Sequence, residues 1–211
     1  MKTQILKTDI DWTEIKNQCR STVGKEDTEI APNKDFVKKL LISEHSPIRL
    51  GTVKFRWSGI KSWVSVHFAR HWLGWDKWVS TQRTDRTGID RDKSPQDTPV
   101  NMDVNANIQA CINVSRYRLC YQASSETREQ MEDLKQTITK QVSKEIGDVL
   151  VPNCIYRAGC SEFSMCKECF YANFLKWCNE NNKIINTIQQ RYDAYNEYFY
   201  SIRKGYDEEN N

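Results

Sequence analysis

Three histidines, His45, His67 and His71, are the only imidazoles in this 211-residue chain, and two of them stand four apart in the stretch HFARH. Residues at that spacing share one helix face, so two imidazoles could meet a common ligand. The pair lacks the glutamate of a zinc-protease helix and has no third ligand nearby, which argues against metal-assisted hydrolysis. The sequence also lacks a Gly-x-Gly-x-x-Gly turn and a Walker-type loop, so any phosphate must be held by side chains. Ser80, Arg83, Arg86 and Arg91 in the polar stretch STQRTDRTGIDRDKSP suit that task, because guanidinium forks bind phosphate oxygens bidentately. Read alone, the stretch is better explained as a solvated charge run balanced by Asp85, Asp90 and Asp92.

Five of the seven tryptophans, Trp57, Trp63, Trp72, Trp75 and Trp78, crowd around the same histidines. Their spacing alone favours a helix that buries aromatics and turns its arginines to water.

The elements that must position these residues are legible from periodicity. KTQILKTDI reads as a strand, and NKDFVKKLLISEHSP as a helix capped by Asn33 that ends before Pro47. LGTVKFRW alternates as a half-buried strand. From Ile60 to Leu73, the residues Ile60, Trp63, Val64, His67 and His71 fall on one helical face beside Arg70. Ser80 to Pro99 reads as an irregular loop. NANIQACINVSRYRLC is helical text. A polar helix capped by Ser124 or Ser125, with Glu126 and Glu129 near its positive end, runs to about Val149. A last helix from about Asn181 to Ile202 carries Ile185, Ile188, Tyr192, Tyr195, Phe199 and Ile202 as a seam for a partner, most simply its own domain. The DEENN tail is expected to be disordered.

A net charge of +3 is too balanced for a polycationic surface, so no nucleic-acid partner is expected. No apolar run approaches a membrane span and the N-terminus lacks an apolar signal region, so the expectation is a soluble, cytoplasmic protein with no membrane partner. Four of the eight cysteines, Cys154, Cys160, Cys166 and Cys169, fall within sixteen residues as C-x5-C-x5-C-x2-C. They are candidate ligands for a structural zinc or an iron-sulfur cluster, with free buried thiols as the alternative, since the spacing is standard for neither metal group. Cys120 reads as core.

Taken in order, these segments resemble the flavin-dependent thymidylate synthase family. Its signature has the form R-H-R-x-x-S-x-N-E-x-S-x-R-Y. Here Arg70-His71-Trp72 is followed by Ser80 at the family's spacing, with Arg83 one residue late and Gln82 at the strict position. His45 lies where the family has a histidine ahead of a strand, Arg91 to Pro95 looks like its R-x-x-x-P, and Asn107, Asn113, Arg118, Ala123, Glu126 and Arg128 are similar in spacing to its final helix. The resemblance covers about His45 to Arg128. Trp72, Trp75, Trp78 and Gln109 depart from it, standing where the family has an arginine, a serine, a glutamate and a further arginine.

The resemblance implies an α+β fold with a largely antiparallel sheet packed with helices, in a homotetramer whose sites draw on several subunits. Residues 1–150 would form the family-like domain, 151–180 a cysteine-rich segment and 181–211 a terminal helix with its tail. The implied reaction is reductive methylation of dUMP to dTMP, with methylenetetrahydrofolate as carbon donor, reduced FAD as hydride carrier and NADPH as reductant. Arg118 and Ser80 are then the catalytic candidates. His67, Ser80, Gln82, Arg83, Arg91 and Arg118 are the dUMP-binding set, and His45, Arg70, His71, Asn107 and Asn113 contact the flavin, with the indoles walling the pocket. The departures leave open a different pyrimidine acceptor, or a metal-stabilised nucleotide-binding protein without activity.

Overall fold

The computed structural model describes residues 2–209, with side chains as far as Arg203. In chain order the elements are β1 (Thr3–Asp9), α1 (Trp12–Ser21), α2 (Lys34–Ile42), β2 (Thr52–Lys61), α3 (Ser62–Ala69), β3 (Trp75–Val79), the four-residue α4 (Thr84–Thr87) and β4 (Pro99–Asn107). There follow α5 (Ile108–Arg118), α6 (Ser125–Gln141), α7 (Lys144–Val149), α8 (Asn153–Arg157), α9 (Phe170–Glu180) and α10 (Ile188–Glu209). The four strands form one antiparallel sheet in the order β1-β2-β4-β3, with helices packed against it, so the fold is α+β as expected.

Alternation sets which face of the sheet is covered. Val53, Phe55 and Trp57 of β2, Val100, Met102, Val104 and Ala106 of β4, and Trp75 of β3 are all buried. Lys54, Arg56 and Asp103 occupy the other face, where Arg56 pairs with Asp103 across the strands at 2.6 Å. Period-two patterning of this kind lets one sheet face build the core while the other stays wet. On the covered face Phe55, Trp57, Phe68 and Trp75 pack ring against ring, with centroids 4.4–6.3 Å apart. The Trp57 indole N–H donates to Thr3 Oγ1 at 2.8 Å, tying β1 to β2.

The indoles therefore do not wall a pocket as a group. Trp57 and Trp75 are core, Trp72 is exposed, and Trp78 lies on the wet face with the Lys54 ammonium 5.9 Å from its ring. The expected helix over Ile60–Leu73 is also corrected. Ile60 still belongs to β2, beyond a bulge at which Gly59 takes a φ of +68°, and α3 ends at Ala69. The chain then turns through Gly74, at a φ of +65°, into β3. A Cβ on Gly74 would stand 2.2 Å from the Asn107 amide, so the turn and the head of α5 meet only because that residue is glycine. The loop read over Ser80–Pro99 gives way to structure inside and at its far end: α4, a 3-10 turn at Arg91–Lys93, and the start of β4.

Asn33 and Asn107 cap α2 and α5, accepting from Phe36 N and Ala110 N at 2.8 Å. α5 runs through the centre, with Cys111, Ile112 and Val114 buried. The polar helix stops at Gln141 rather than near Val149, where Ser143 caps a new helix, α7, through Ile146 N. α10 starts at Ile188, later than expected, and buries Tyr192, Tyr195 and Phe199 in the same core as the sheet. It continues through Asp207–Glu209, part of the tail read as disordered, while Asn210 and Asn211 lie outside the described residues. Among the described residues no helix is long and apolar enough to cross a membrane.

Candidate active site

The end of α3, the turn into β3 and the end of α5 bring three of the expected residues together. Arg118 donates through Nε to His71 Nε2 at 2.9 Å and through Nη2 to the His67 carbonyl at 2.7 Å. His67 in turn meets the Thr127 hydroxyl at 3.0 Å through Nδ1, and Ser124 donates to the same hydroxyl at 2.8 Å. Lys77 donates to the His71 carbonyl at 2.5 Å. One polar network thus runs from the head of α6 across α3 to β3.

The electrostatics of this network are unusual in sign. A guanidinium N–H can only donate, so His71 must accept at Nε2 and carry its proton on Nδ1. Burial, then the cations of Arg118 and Lys77, push its pKa down to about 4, which keeps the ring neutral at pH 7. His67 is lowered too, by burial and then by Arg118 and Arg70. Burial, followed by repulsion from Arg70, also lowers the pKa of Arg118, although a guanidinium stays charged throughout. Among the described residues neither Arg70 nor Arg118 has a carboxylate within ion-pair distance. Arg118 is a half-buried cation held by two neutral acceptors, and its charge is left for a ligand to answer.

Two clefts open on this network. One, of about 410 Å³, is lined by His71, Tyr117, Arg118, Cys120, Gln122, Ala123 and Glu162. The other, of about 390 Å³, is lined by Ser62, Trp63, Val66, His67, Arg70, Gln82, Arg91, Ser94, Pro95 and Gln96. Each has room for a nucleotide-sized group. The second gathers His67, Gln82 and Arg91 of the expected substrate set together with Arg70; Arg91 has only a loose, exposed pairing with Asp92 at 4.0 Å, so both arginines could meet an anion. Between Gln82 and Arg83 the structure favours Gln82, which lines the cleft and receives a hydrogen bond from Ser62 at 3.2 Å. Arg83 is exposed and spent on Asp85, at 2.9 and 2.7 Å.

Other expected contacts are occupied elsewhere. Ser80 lies at the exposed end of β3 and its hydroxyl accepts from Asn101 N at 2.9 Å, prolonging the ladder; it lines neither cleft. Asn107 spends its carbonyl oxygen on the α5 cap, and the Asn113 oxygen accepts from Gln109 at 3.1 Å. His45 is exposed near Cys19, with 3.9 Å between Nδ1 and sulfur. Residues missed in the sequence include Tyr117, on whose ring His71 leans at 6.2 Å, and Thr127, the partner of His67. Tyr117 sits one residue from Arg118, and the spacing Ser124-x-x-Thr127 at a helix start was a signal for Thr127.

The four clustered cysteines do share a small cavity, joined there by Cys120 from the end of α5. As the side chains lie, no three His, Cys, Asp or Glu among the described residues are arranged to hold a metal ion.

No protein-family model matches the sequence, and no curated protein does. Solved structures do match the fold. A flavin-dependent thymidylate synthase from Helicobacter pylori, complexed with FAD and dUMP, superposes with a TM-score of 0.56 at 11% identity, over 71% of this chain and 99% of that one. A second structure of the Helicobacter pylori enzyme with FAD and dUMP gives 0.56 at 10% identity over the same shares. A UMP/dUMP methylase from Streptomyces cacaoi, bound with 5-bromo-dUMP, gives 0.55 at 12% identity over 70% of this chain and 93% of that one. This chain is similar in fold to enzymes that act on dUMP.

Proposed function

We propose that the protein is a flavin-dependent enzyme that modifies dUMP, and that its reaction is reductive methylation to dTMP. The observation that carries this reading is Arg118: a half-buried guanidinium without a carboxylate, oriented by a neutral imidazole and a backbone carbonyl. A fixed cation in such a site stabilises negative charge that develops on a pyrimidine ring as it is attacked, because nothing in the site must reorganise to receive it. The neutral His71 ring orients this cation without neutralising it.

The second cleft supplies the complementary function. Arg70 and Arg91 suit the phosphate, and Gln82 and His67 offer hydrogen bonds to the sugar or the base edge. The first cleft also fits a flavin, since His71 and the exposed Tyr117 ring present an N–H group and a flat surface on which an isoalloxazine could rest, with Arg70 in the neighbouring cleft. When bound, FAD supplies the hydride chemistry, with methylenetetrahydrofolate as carbon donor and NADPH as reductant. Similarity to the homotetrameric family supports a tetramer in which neighbouring subunits complete the site.

The test is the visible spectrum of the protein reconstituted with FAD, recorded before and after dUMP. Flavin bands that shift with dUMP, and dTMP in the product mixture by mass spectrometry, are the expected results. A protein that retains no FAD and shows no affinity for dUMP overturns the reading.

A further inference from the structure

The cysteine-lined cavity stands apart from the nucleotide chemistry and is explained by none of it. Five thiols, of Cys120, Cys154, Cys160, Cys166 and Cys169, line a space of about 10 Å³. That is the size of roughly one water molecule, which suits a single ion. The thiols arrive from separate places in the chain: the end of α5, the first turn of α8, and the segment that leads into α9.

The segment from Ala158 to Cys169 contains no helix or strand, and its tip carries Phe163 and Met165 fully or largely exposed. Few contacts hold it. Gln122 donates to the Ser164 carbonyl at 2.8 Å, Asn153 to the Ser161 hydroxyl at 2.6 Å, and Cys120 lies 3.6 Å from Glu162. A loop of this length with so little apolar burial generally needs a further restraint to stay in one place.

We propose that Cys120, Cys154, Cys166 and Cys169 bind one zinc ion as thiolates, in a structural site that ties this loop to α5 and α8. Tetrahedral coordination by four cysteines is the common form of a closed zinc site, and two ligands separated by two residues, as in Cys166 and Cys169, are its usual knuckle. The five thiols line one cavity, and binding would have to draw four of them closer, because as they lie no three are arranged to hold an ion. Cys160 is the surplus thiol, because it is the one exposed member of the five. The structure thereby exchanges Cys160 of the sequence cluster for Cys120, forty-six residues before Cys166. Cys120 and Glu162 also line the cleft of Arg118, so the ion would fix one wall of that cleft.

The experiment uses the full chain purified under reducing conditions without added chelator. Elemental analysis is expected to give one zinc per chain, and zinc X-ray absorption four sulfur neighbours at about 2.3 Å. Cys160→Ser keeps the metal, whereas Cys120→Ser and Cys169→Ser lose it. Alkylation mapping of the unmutated protein serves where a variant fails to fold: Cys160 reacts first, and Cys166 and Cys169 become reactive only after zinc is chelated. Cobalt(II) added to the stripped protein is expected to give the charge-transfer bands of a tetrahedral thiolate centre. A protein that arrives zinc-free and takes up no cobalt overturns the proposal. So do disulfides among these cysteines found in peptides mapped without reduction, or loss of metal from Cys160→Ser with retention in Cys120→Ser.

Discussion

Two arginines on the same helix, two residues apart, live in opposite electrostatic circumstances. Arg116 pairs with Glu44 and lays its guanidinium over the Tyr156 ring, 3.6 Å from the centroid. Arg118, turned about 200° around the helix axis, meets only an imidazole nitrogen and a carbonyl. Both side chains are largely withdrawn from water and both donate hydrogen bonds, although the buried Nε of Arg116 has no partner. The difference lies in who cancels the charge. At Arg116 the protein does so itself, and the residue welds α5 to the turn after α2. At Arg118 the protein orients the cation and leaves it uncancelled, which weakens the fold locally and reserves the charge for a ligand.

The sharpest way to break the comparison is to remove each guanidinium in turn. Arg118→Ala should lower turnover of dUMP by about 10²–10³, the usual effect of losing one electrostatic stabiliser of a transition state, with little change in the urea midpoint. Arg116→Ala should do the reverse. It leaves Glu44 with the Gln109 amide alone, at 2.7 Å, and should cost about 2–3 kcal/mol of stability given the pair's partial exposure. The folded fraction should keep its turnover. Equal losses of activity in the two variants would erase the distinction.

Acid offers a subtler probe. The folded pKa of His71, about 4, lies below the ordinary 6.5, so between those values the unfolded chain binds a proton that the folded protein refuses. Stability therefore falls as pH drops from 6.5 toward 4. Urea midpoints measured across that window should fall less steeply in His71→Gln; an unchanged slope would mean that folding leaves the proton affinity of the imidazole unaltered. The smallest effect is expected at Arg83, where Arg83→Ala removes an exposed pair with Asp85 and should change the KM for dUMP by less than about twofold. A large rise in KM would restore Arg83 to the substrate set in place of Gln82.

The fold was legible where local rules act alone. Asn33 announced its helix by the capping rule, and alternation announced β2. β4 goes unassigned in the sequence although Val100, Met102, Val104 and Ala106 alternate strictly, because its last three residues, Asn105–Asn107, read as the start of the helix that in fact begins at Ile108. The asparagines and aspartate between the apolar residues face water on the open side of the sheet, where their weak strand preference is offset by pairing on both edges. For the site, His67, His71 and Arg118 were named from the sequence and do meet. Ser80, Asn107 and His45 were named by position in a motif, and position does not reveal that a side chain is committed to a ladder, a cap or a neighbouring thiol. Nor could spacing show that Cys120 joins the distant cysteines, since that depends on where α5 ends in space.

β2 and β4 are hydrogen-bonded neighbours, yet the chain makes a long excursion between them, and His67, Arg70, Gln82 and Arg91 all lie on it. β3, at the sheet's edge, anchors that excursion to β4, and Phe68 of α3 anchors it to Trp57 of β2. Arg118 lies outside it, on the central helix, but is held by two residues of the excursion, His67 and His71. Under the proposed function, the cleft and the cation therefore form one heritable unit. Insertions or deletions in the excursion would spare the β2–β4 ladder and yet reach both. A lineage that altered its grip on the nucleotide would have to retune its chemistry with it.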